Sequence, residues 1–397
     1  MQRPLASSEP IYPYRSPTSA NAWVDVDLGA VRRNAGRLRQ AAGVPLVAMV
    51  KADSYGIGML EVARALGATF AGVQTPTGSD ESPWALGVAT LDEAFALRQA
   101  GCTSRVMCTS PLLVRDLADA LALGVRPALH TVETITAWAD LGGAAWHLSI
   151  DTGMSRAGVR WDEVAPLASV IRAHPAEGVF THFHSAERND GSREQQERLF
   201  AQAWQSLGDA LPPGVLLHCD NSSAIAARRP SPGHLARPGI ALYGSTEATA
   251  LGLEQVVHLR ARIIDLREVN TGESVSYGAT YRVAGARRIA TVAVGYAEGY
   301  RRALSNHGVA LVHGQRVPVV GAVTMDMTML DVTLLGEKCA LGDTVTLIGR
   351  DAEECIWTDD VAAAGGLSPY ELLVGLRLRA VRRYFESAGN IVFSERA

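Results

Sequence analysis

The sequence predicts an α/β protein, a (β/α)8 barrel of the TIM type followed by a β-rich C-terminal domain. Three observations predict it. From about residue 45 to 245, short β-branched apolar runs alternate with amphipathic Ala/Leu/Arg segments closed by glycine, the rhythm of consecutive βα units. After about residue 255 that alternation stops, and strand-like runs follow one another between glycine turns. Polar residues also collect just behind the apolar runs of the first part, where a barrel builds its site.

A chain of 397 residues has room for a barrel plus an accessory domain. Its formal net charge of -4 and its lack of a basic run interleaved with aromatics argue against nucleic acid and against an anionic membrane surface. The five cysteines are widely spaced and odd in number, which suggests neither a disulfide framework nor a metal site and fits reduced thiols in the cytoplasm. No apolar run reaches the roughly 18 residues of a membrane span, and the N-terminus lacks the apolar core of a signal peptide.

Residues 1–21, with Pro4, Pro10, Pro13 and Pro17, read as an irregular tail. The barrel is expected over 22–255 and the β-rich domain over 256–397. Residues 23–28 alternate as a strand and 28–41 have helical spacing. Barrel strands are then expected at 45–50, 70–73 or 86–88, 105–108, 126–129, 146–150, 178–183, 214–219 and 240–243. Helices are expected at 91–100, 111–123, 132–141, 165–173 and 195–207. The competing architecture, a doubly wound sheet, lacks a GxGxxG after any of these strands. Residues 75–84 form a polar excursion of no catalytic interest. The second domain has strands at 259–269, 289–294, 309–312, 317–320 and 327–332. A helical stretch is expected at 371–384, most of whose arginines read as a solvated face.

The strand at 45–50 delivers Lys51 into a glycine-bearing loop. A lysine at the end of a buried strand is costly unless it is paired or in use, so a salt-bridged lysine and a reactive one are both open readings. The uses that suit it are Schiff-base formation and general base work. Lys51 and Tyr55 follow one strand, Asp151 to Arg156 another, Thr181, His182 and His184 a third. Asp220 to Ser223 and then Arg237, Gly239 and Ile240 complete the set. Taken singly these are weak, since a lone strand-end histidine is more often a satisfied core residue. Together they converge on one mouth. Hydroxyls and backbone N–H groups in NSS and RPGI suit a phosphate, and a phosphate site beside an isolated lysine fits pyridoxal phosphate. No HExxH and no carboxylate cluster argues for a metal.

With these residues in hand, the chain resembles the alanine racemase family of pyridoxal phosphate enzymes from about Trp23 to Arg383. VKADSYG resembles the family's cofactor-lysine motif, and DTGMSRAG, THFHSAE, NSSA, RPGIALYG, SYGATYR, VAVGYAEGY and VTMDM follow in the family's order. The resemblance implies a head-to-tail homodimer whose sites combine one chain's barrel with the other's β domain. It implies Lys51 as cofactor lysine and base on one face of an amino-acid substrate, with Tyr277 from the partner chain as base on the other. Tyr55, Asn221, Ser222, Gly239 and Ile240 would hold the phosphate. Arg156 would contact the phenolic oxygen, His182 the ring and Arg237 the pyridine nitrogen. Arg156, Met325, Tyr296 and Leu378 would face the substrate. Inversion at an α-carbon needs a proton removed from one face and another delivered to the opposite face, so two bases are the minimal design.

Four positions depart from the family pattern. Ser149 stands where a lysine, often carbamylated, orients the cofactor-binding arginine. Met327 replaces a glutamine and Ala322 an arginine, and Leu378 replaces a tyrosine that narrows the pocket. Arg156 must then be oriented by something else, such as chloride or a water. The substrate range extends in expectation to serine or another amino acid. The alternatives are a barrel-type amino-acid decarboxylase, a non-enzymatic pyridoxal phosphate-binding protein and a silent homologue. The decarboxylase would bring an adjacent Cys-Asp pair from its β domain, and the one such pair here, Cys219-Asp220, lies in the barrel region.

Overall fold

The computed structural model describes residues 20–72, 82–227, 233–245, 251–376, 379–386 and 390–392. Seven parallel strands, Val47–Met49, Ala85–Val88, Val106–Pro111, Val125–Leu129, His147–Asp151, Gly178–Phe180 and Leu216–His218, lie side by side in that order. Most of their residues are buried, as expected of strands covered on both faces. Helices over Leu91–Gln99, Leu117–Ala122, Val132–Asp140, Ala168–Ala173 and Ser192–Leu207 alternate with them. Thr90 and Thr131 start two of these with capping boxes.

The ring closes at a place the sequence does not point to. Leu235 bridges in parallel to His218 and Ala236 to Leu46, and the N–H groups of Val47 and Met49 donate to the carbonyls of Ala236 (2.8 Å) and Pro238 (3.0 Å). The expected strand at 240–243 is instead a 3-10 turn, Ile240–Tyr243. Pro238 has no N–H to extend the ladder, and the next free donors, those of Gly239 and Ala241, turn to the Ser222 hydroxyl.

Two further expectations are corrected. Ala22–Asp27, counted with the barrel, belongs to the C-terminal sheet, antiparallel to Val257–Val269 and parallel to Val381–Glu386. The helix expected at 371–384 is a short helix, Pro369–Gly375, and then that strand. Local spacing favoured a helix, but pairing with a strand more than 350 residues earlier overrides it. Nor are Arg379, Arg382 and Arg383 simply solvated. Arg383 binds both oxygens of buried Asp25 (2.6 and 2.9 Å), and Arg382 and Arg379 are ion-paired as well.

The C-terminal sheet runs Gln315–Pro318, Val309–Val312, Thr344–Asp351, Val257–Val269, Ala22–Asp27, Val381–Glu386, Asn390–Val392. Beyond an irregularity after Ile263, the long central strand also pairs with Arg287–Val292. One apolar core runs unbroken from barrel to sheet, so the domains pack as one body. The tail at 1–19 and most of the 75–84 excursion lie outside the described residues, as does Leu378. No described helix is long and apolar enough to cross a membrane.

Candidate active site

The strand Val47–Met49 ends two residues before Lys51, and the chain then turns the wrong way. Ala52, Asp53, Ser54 and Tyr55 all have left-handed dihedrals, with φ of 53, 57, 52 and 58°. None is glycine, and at 1–2 kcal/mol per residue such a turn costs roughly 4–8 kcal/mol. Its neighbours hold it. Glu93 accepts from the Ala52 N–H (2.7 Å), and Asp53 accepts from the Met59 N–H (2.7 Å) and is paired with Arg382. Tyr55 packs against the rings of Tyr243 and Tyr370 at 5.0 and 5.9 Å. The result throws Lys51 toward the barrel mouth. Burial and the nearby Arg156 guanidinium lower its pKa. Glu93, the carboxylate that opposes this shift, already accepts from Ala52, Ala89 and Thr90.

Beside this turn lies a cradle of donors. The Ser222 hydroxyl accepts from Gly239 N–H (3.0 Å) and Ala241 N–H (3.2 Å). A Cβ at Gly239 would stand 2.2 Å from the Tyr55 hydroxyl, so only glycine leaves the phenol its place. Asn221 caps the short helix Ser222–Ala226 through Ala224 N–H (3.0 Å) and donates to Phe183 C=O (3.3 Å). Ile240 is fully buried beneath the cradle.

The remaining barrel residues make the mouth electropositive. Arg237 is buried and donates to Thr181 C=O (2.6 Å) and His218 Nδ1 (2.7 Å); burial lowers its pKa to about 10, so it stays charged. His182 is neutral, pushed down to about 3 by burial and by Arg237, Arg156 and Lys51. A polar chain runs inward from Arg237. His218 Nε2 lies 2.8 Å from His147 Nδ1, and His147 Nε2 lies 3.1 Å from Glu177, which Arg126 also binds (2.6 Å). Burial lowers the pKa of both histidines. Because Arg237 can only donate, both neutral rings are assigned as Nε2–H tautomers, with every proton pointing toward Glu177. The chain needs Gly178, where a Cβ would lie 2.3 Å from His147 Nδ1.

Comparisons with known proteins bear on what such a site serves. The alanine racemase N-terminal domain matches residues 26–247 and the alanine racemase C-terminal domain residues 256–384. The chain belongs to the alanine racemase family. A curated alanine racemase from Geobacter sp. (strain M21) is 35% identical, covering 91% of this chain and 98% of that protein. The alanine racemase of Bacillus anthracis, solved with bound L-Ala-P, superposes with a TM-score of 0.82 at 30% identity, over 96% of this chain and 98% of that one. That of Bartonella henselae, solved with covalently bound pyridoxal phosphate, gives 0.80 at 26% identity, over 92% and 100%.

The family is one of isomerases dependent on pyridoxal phosphate. The residues present fit that group: a half-buried lysine just past a strand end, the Ser222 hydroxyl held by the Gly239 and Ala241 N–H groups that donate to it, and cations in Arg156 and Arg237 that favour a phosphorylated, anionic ligand. Among the described residues no cluster could hold a metal. Beside Arg156 is a cavity of about 40 Å3 that this arginine lines together with Thr109, Ser149, Thr181 and His182. Asp151 shapes the Arg156 turn by accepting from Gly153 and Ser155 N–H (2.9 and 3.1 Å).

Lys51, Tyr55, Arg156, His182, Asn221, Ser222, Arg237, Gly239 and Ile240 thus gather at one mouth. Tyr277, Tyr296 and Met325 belong to the β domain. Tyr277 is 75% exposed, on a turn beside the strand Ser274–Val275. Tyr296 N–H donates to Thr324 C=O (3.1 Å), tying its turn to the segment of exposed Met325. Several residues that hold the site carry little signal of their own in the sequence. Asn306 donates to Thr280 Oγ1 (3.1 Å) and accepts from Gly321 N–H (2.6 Å), clasping the Tyr277 turn. The same holds for Glu93, Arg382 and the His147–Glu177 chain, since each acts through contacts distant in sequence. For Glu93 alone a signal existed, the Thr-x-x-Glu capping box.

Proposed function

We propose that this chain racemises alanine in the cytoplasm as a pyridoxal phosphate-dependent homodimer, by a two-base mechanism using Lys51 and Tyr277. The observation that carries this reading is the half-buried Lys51, its pKa lowered, beside the Ser222/Gly239 cradle in a chain of this family. When bound, the cofactor takes up into its ring the electron pair left by the departing α-proton.

Each residue has a part. A lowered pKa leaves more Lys51 neutral at physiological pH, so its Nζ can accept the α-proton on one face of the substrate and return one there. Tyr277 serves the opposite face of a second copy's site, a role supported by the exposure of its ring on its own chain. Tyr55, Asn221, Ser222, Gly239 and Ile240 hold the phosphate. His182, uncharged, would pack on the ring, and Arg237 would donate to the pyridine nitrogen, which would stay largely unprotonated. That arrangement would weaken the ring as an electron sink and limit side reactions. Met325 offers its N–H to the substrate carboxylate, and Tyr296 lines the entrance. The cavity beside Ser149 has room for a chloride or a water, which would orient Arg156.

The test is incubation with a panel of L-amino acids in deuterated water, following optical inversion and α-proton exchange. Alanine is expected to invert and exchange. Because Leu378 stands where a pocket-narrowing tyrosine is usual, serine and larger amino acids are expected to react too; a clear kcat/KM preference for alanine would restrict the range to it. Full-rate inversion by Tyr277→Phe would refute the two-base scheme.

A further inference from the structure

The left-handed turn after Lys51 is held on two sides. Glu93, from the barrel, binds its first residue. On the other side Arg382 reaches in from the strand Val381–Glu386, pairing with the Asp53 carboxylate and donating to Gly56 C=O (3.2 Å). The opposite Asp53 oxygen accepts from Met59 N–H, which opens the helix Met59–Ala65. The reach of Arg382 is set by sheet register, since Arg383 stands opposite Asp25 and Arg382 opposite Val24. Two more contacts bring the C-terminal segment against the same turn. A Cβ at Gly56 would meet Leu373 C=O at 2.6 Å, and one at Gly58 would meet the Tyr384 hydroxyl at 2.1 Å.

We propose that Arg382 is a positioning residue for Lys51: paired with Asp53, it holds the left-handed turn and so keeps the lysine amine within reach of the cofactor. The inference rests on the reading that Lys51 carries the cofactor. Four consecutive non-glycine residues in this conformation persist only where surrounding contacts over-determine them. Arg382 supplies the ion pair between the turn and the C-terminal sheet, so losing that pair loosens the turn even where the strand itself stays docked. Arg383, one residue along the same strand, pairs with Asp25 and makes no bond to the turn.

The experiment uses full-length holoenzyme and follows the release of pyridoxal phosphate, together with the pH midpoint of the lysine-bound cofactor's absorbance. Arg382→Ala and Asp53→Asn are each expected to speed release roughly tenfold, the loss of one charge-assisted hydrogen bond, and to shift the midpoint. The double variant should be no worse than the worse single one, and Arg382→Lys should recover most of the loss. Arg383→Ala, which weakens the strand without touching the turn, should release cofactor at the wild-type rate.

Wild-type release from Arg382→Ala, or equal acceleration by Arg383→Ala, would overturn the proposal. Borohydride reduction and peptide mass analysis of the wild type separate the two claims. Label absent from Lys51 sinks the cofactor-lysine reading and this one with it; label on Lys51 with unchanged variants sinks this one alone.

Discussion

Replacing Glu177 by glutamine removes the charge at the inner end of the chain that begins at Arg237, while keeping an oxygen for His147 and Arg126. Burial pushes the Glu177 pKa up, but the hydrogen bonds from His147 and Arg126 outweigh it and bring it from 4.5 down to about 2. Its side chain is 27% exposed, so solvent screens the pair only in part. A shift of this size corresponds to at most about 3 kcal/mol of stability carried by the ionised carboxylate. Because the folded pKa lies below the unfolded one, that contribution is complete well above pH 4.5 and is lost as pH falls toward 2. Urea unfolding at fixed protein concentration should show Glu177→Gln destabilised by a constant amount from pH 7 to about 5.5. About three-quarters of the difference should remain at pH 4. A difference that grew on acidification, or none at pH 7, would refute the assignment of an ionised Glu177 bound by a neutral His147.

Three further outcomes are expected. Gly239→Ala puts a methyl group 2.2 Å from the buried Tyr55 hydroxyl and should weaken pyridoxal phosphate retention by roughly tenfold or more, read by equilibrium dialysis. Gly178→Ala drives a Cβ into His147 and should destabilise the chain by about 1–3 kcal/mol, read by thermal unfolding. Thr280→Val deletes the acceptor for Asn306 at the base of the Tyr277 turn. Turnover should fall several-fold with the cofactor's absorbance unchanged, as spectra and initial rates will show.

The sequence by itself determined the barrel followed by a β domain, because βα periodicity and its cessation near residue 255 are local properties of the chain. Most barrel helices were legible for the same reason, down to Leu28–Ala42. The gathering of Lys51, His182, Ser222 and Arg237 was legible too, since strand ends in such a barrel share one face. Only the tertiary structure decided how the ring closes, because 234–238 join it through two bridges to distant strands rather than through any apolar pattern. Only it showed that Ala22–Asp27 and Val381–Glu386 pair across nearly the whole chain, turning an apparently solvated arginine run into partners of Asp25 and Asp53. The left-handed turn after Lys51 was hidden for a related reason. Its residues have no local preference for that conformation, and what imposes it comes from Glu93 and Arg382, side chains far away in sequence and near in space.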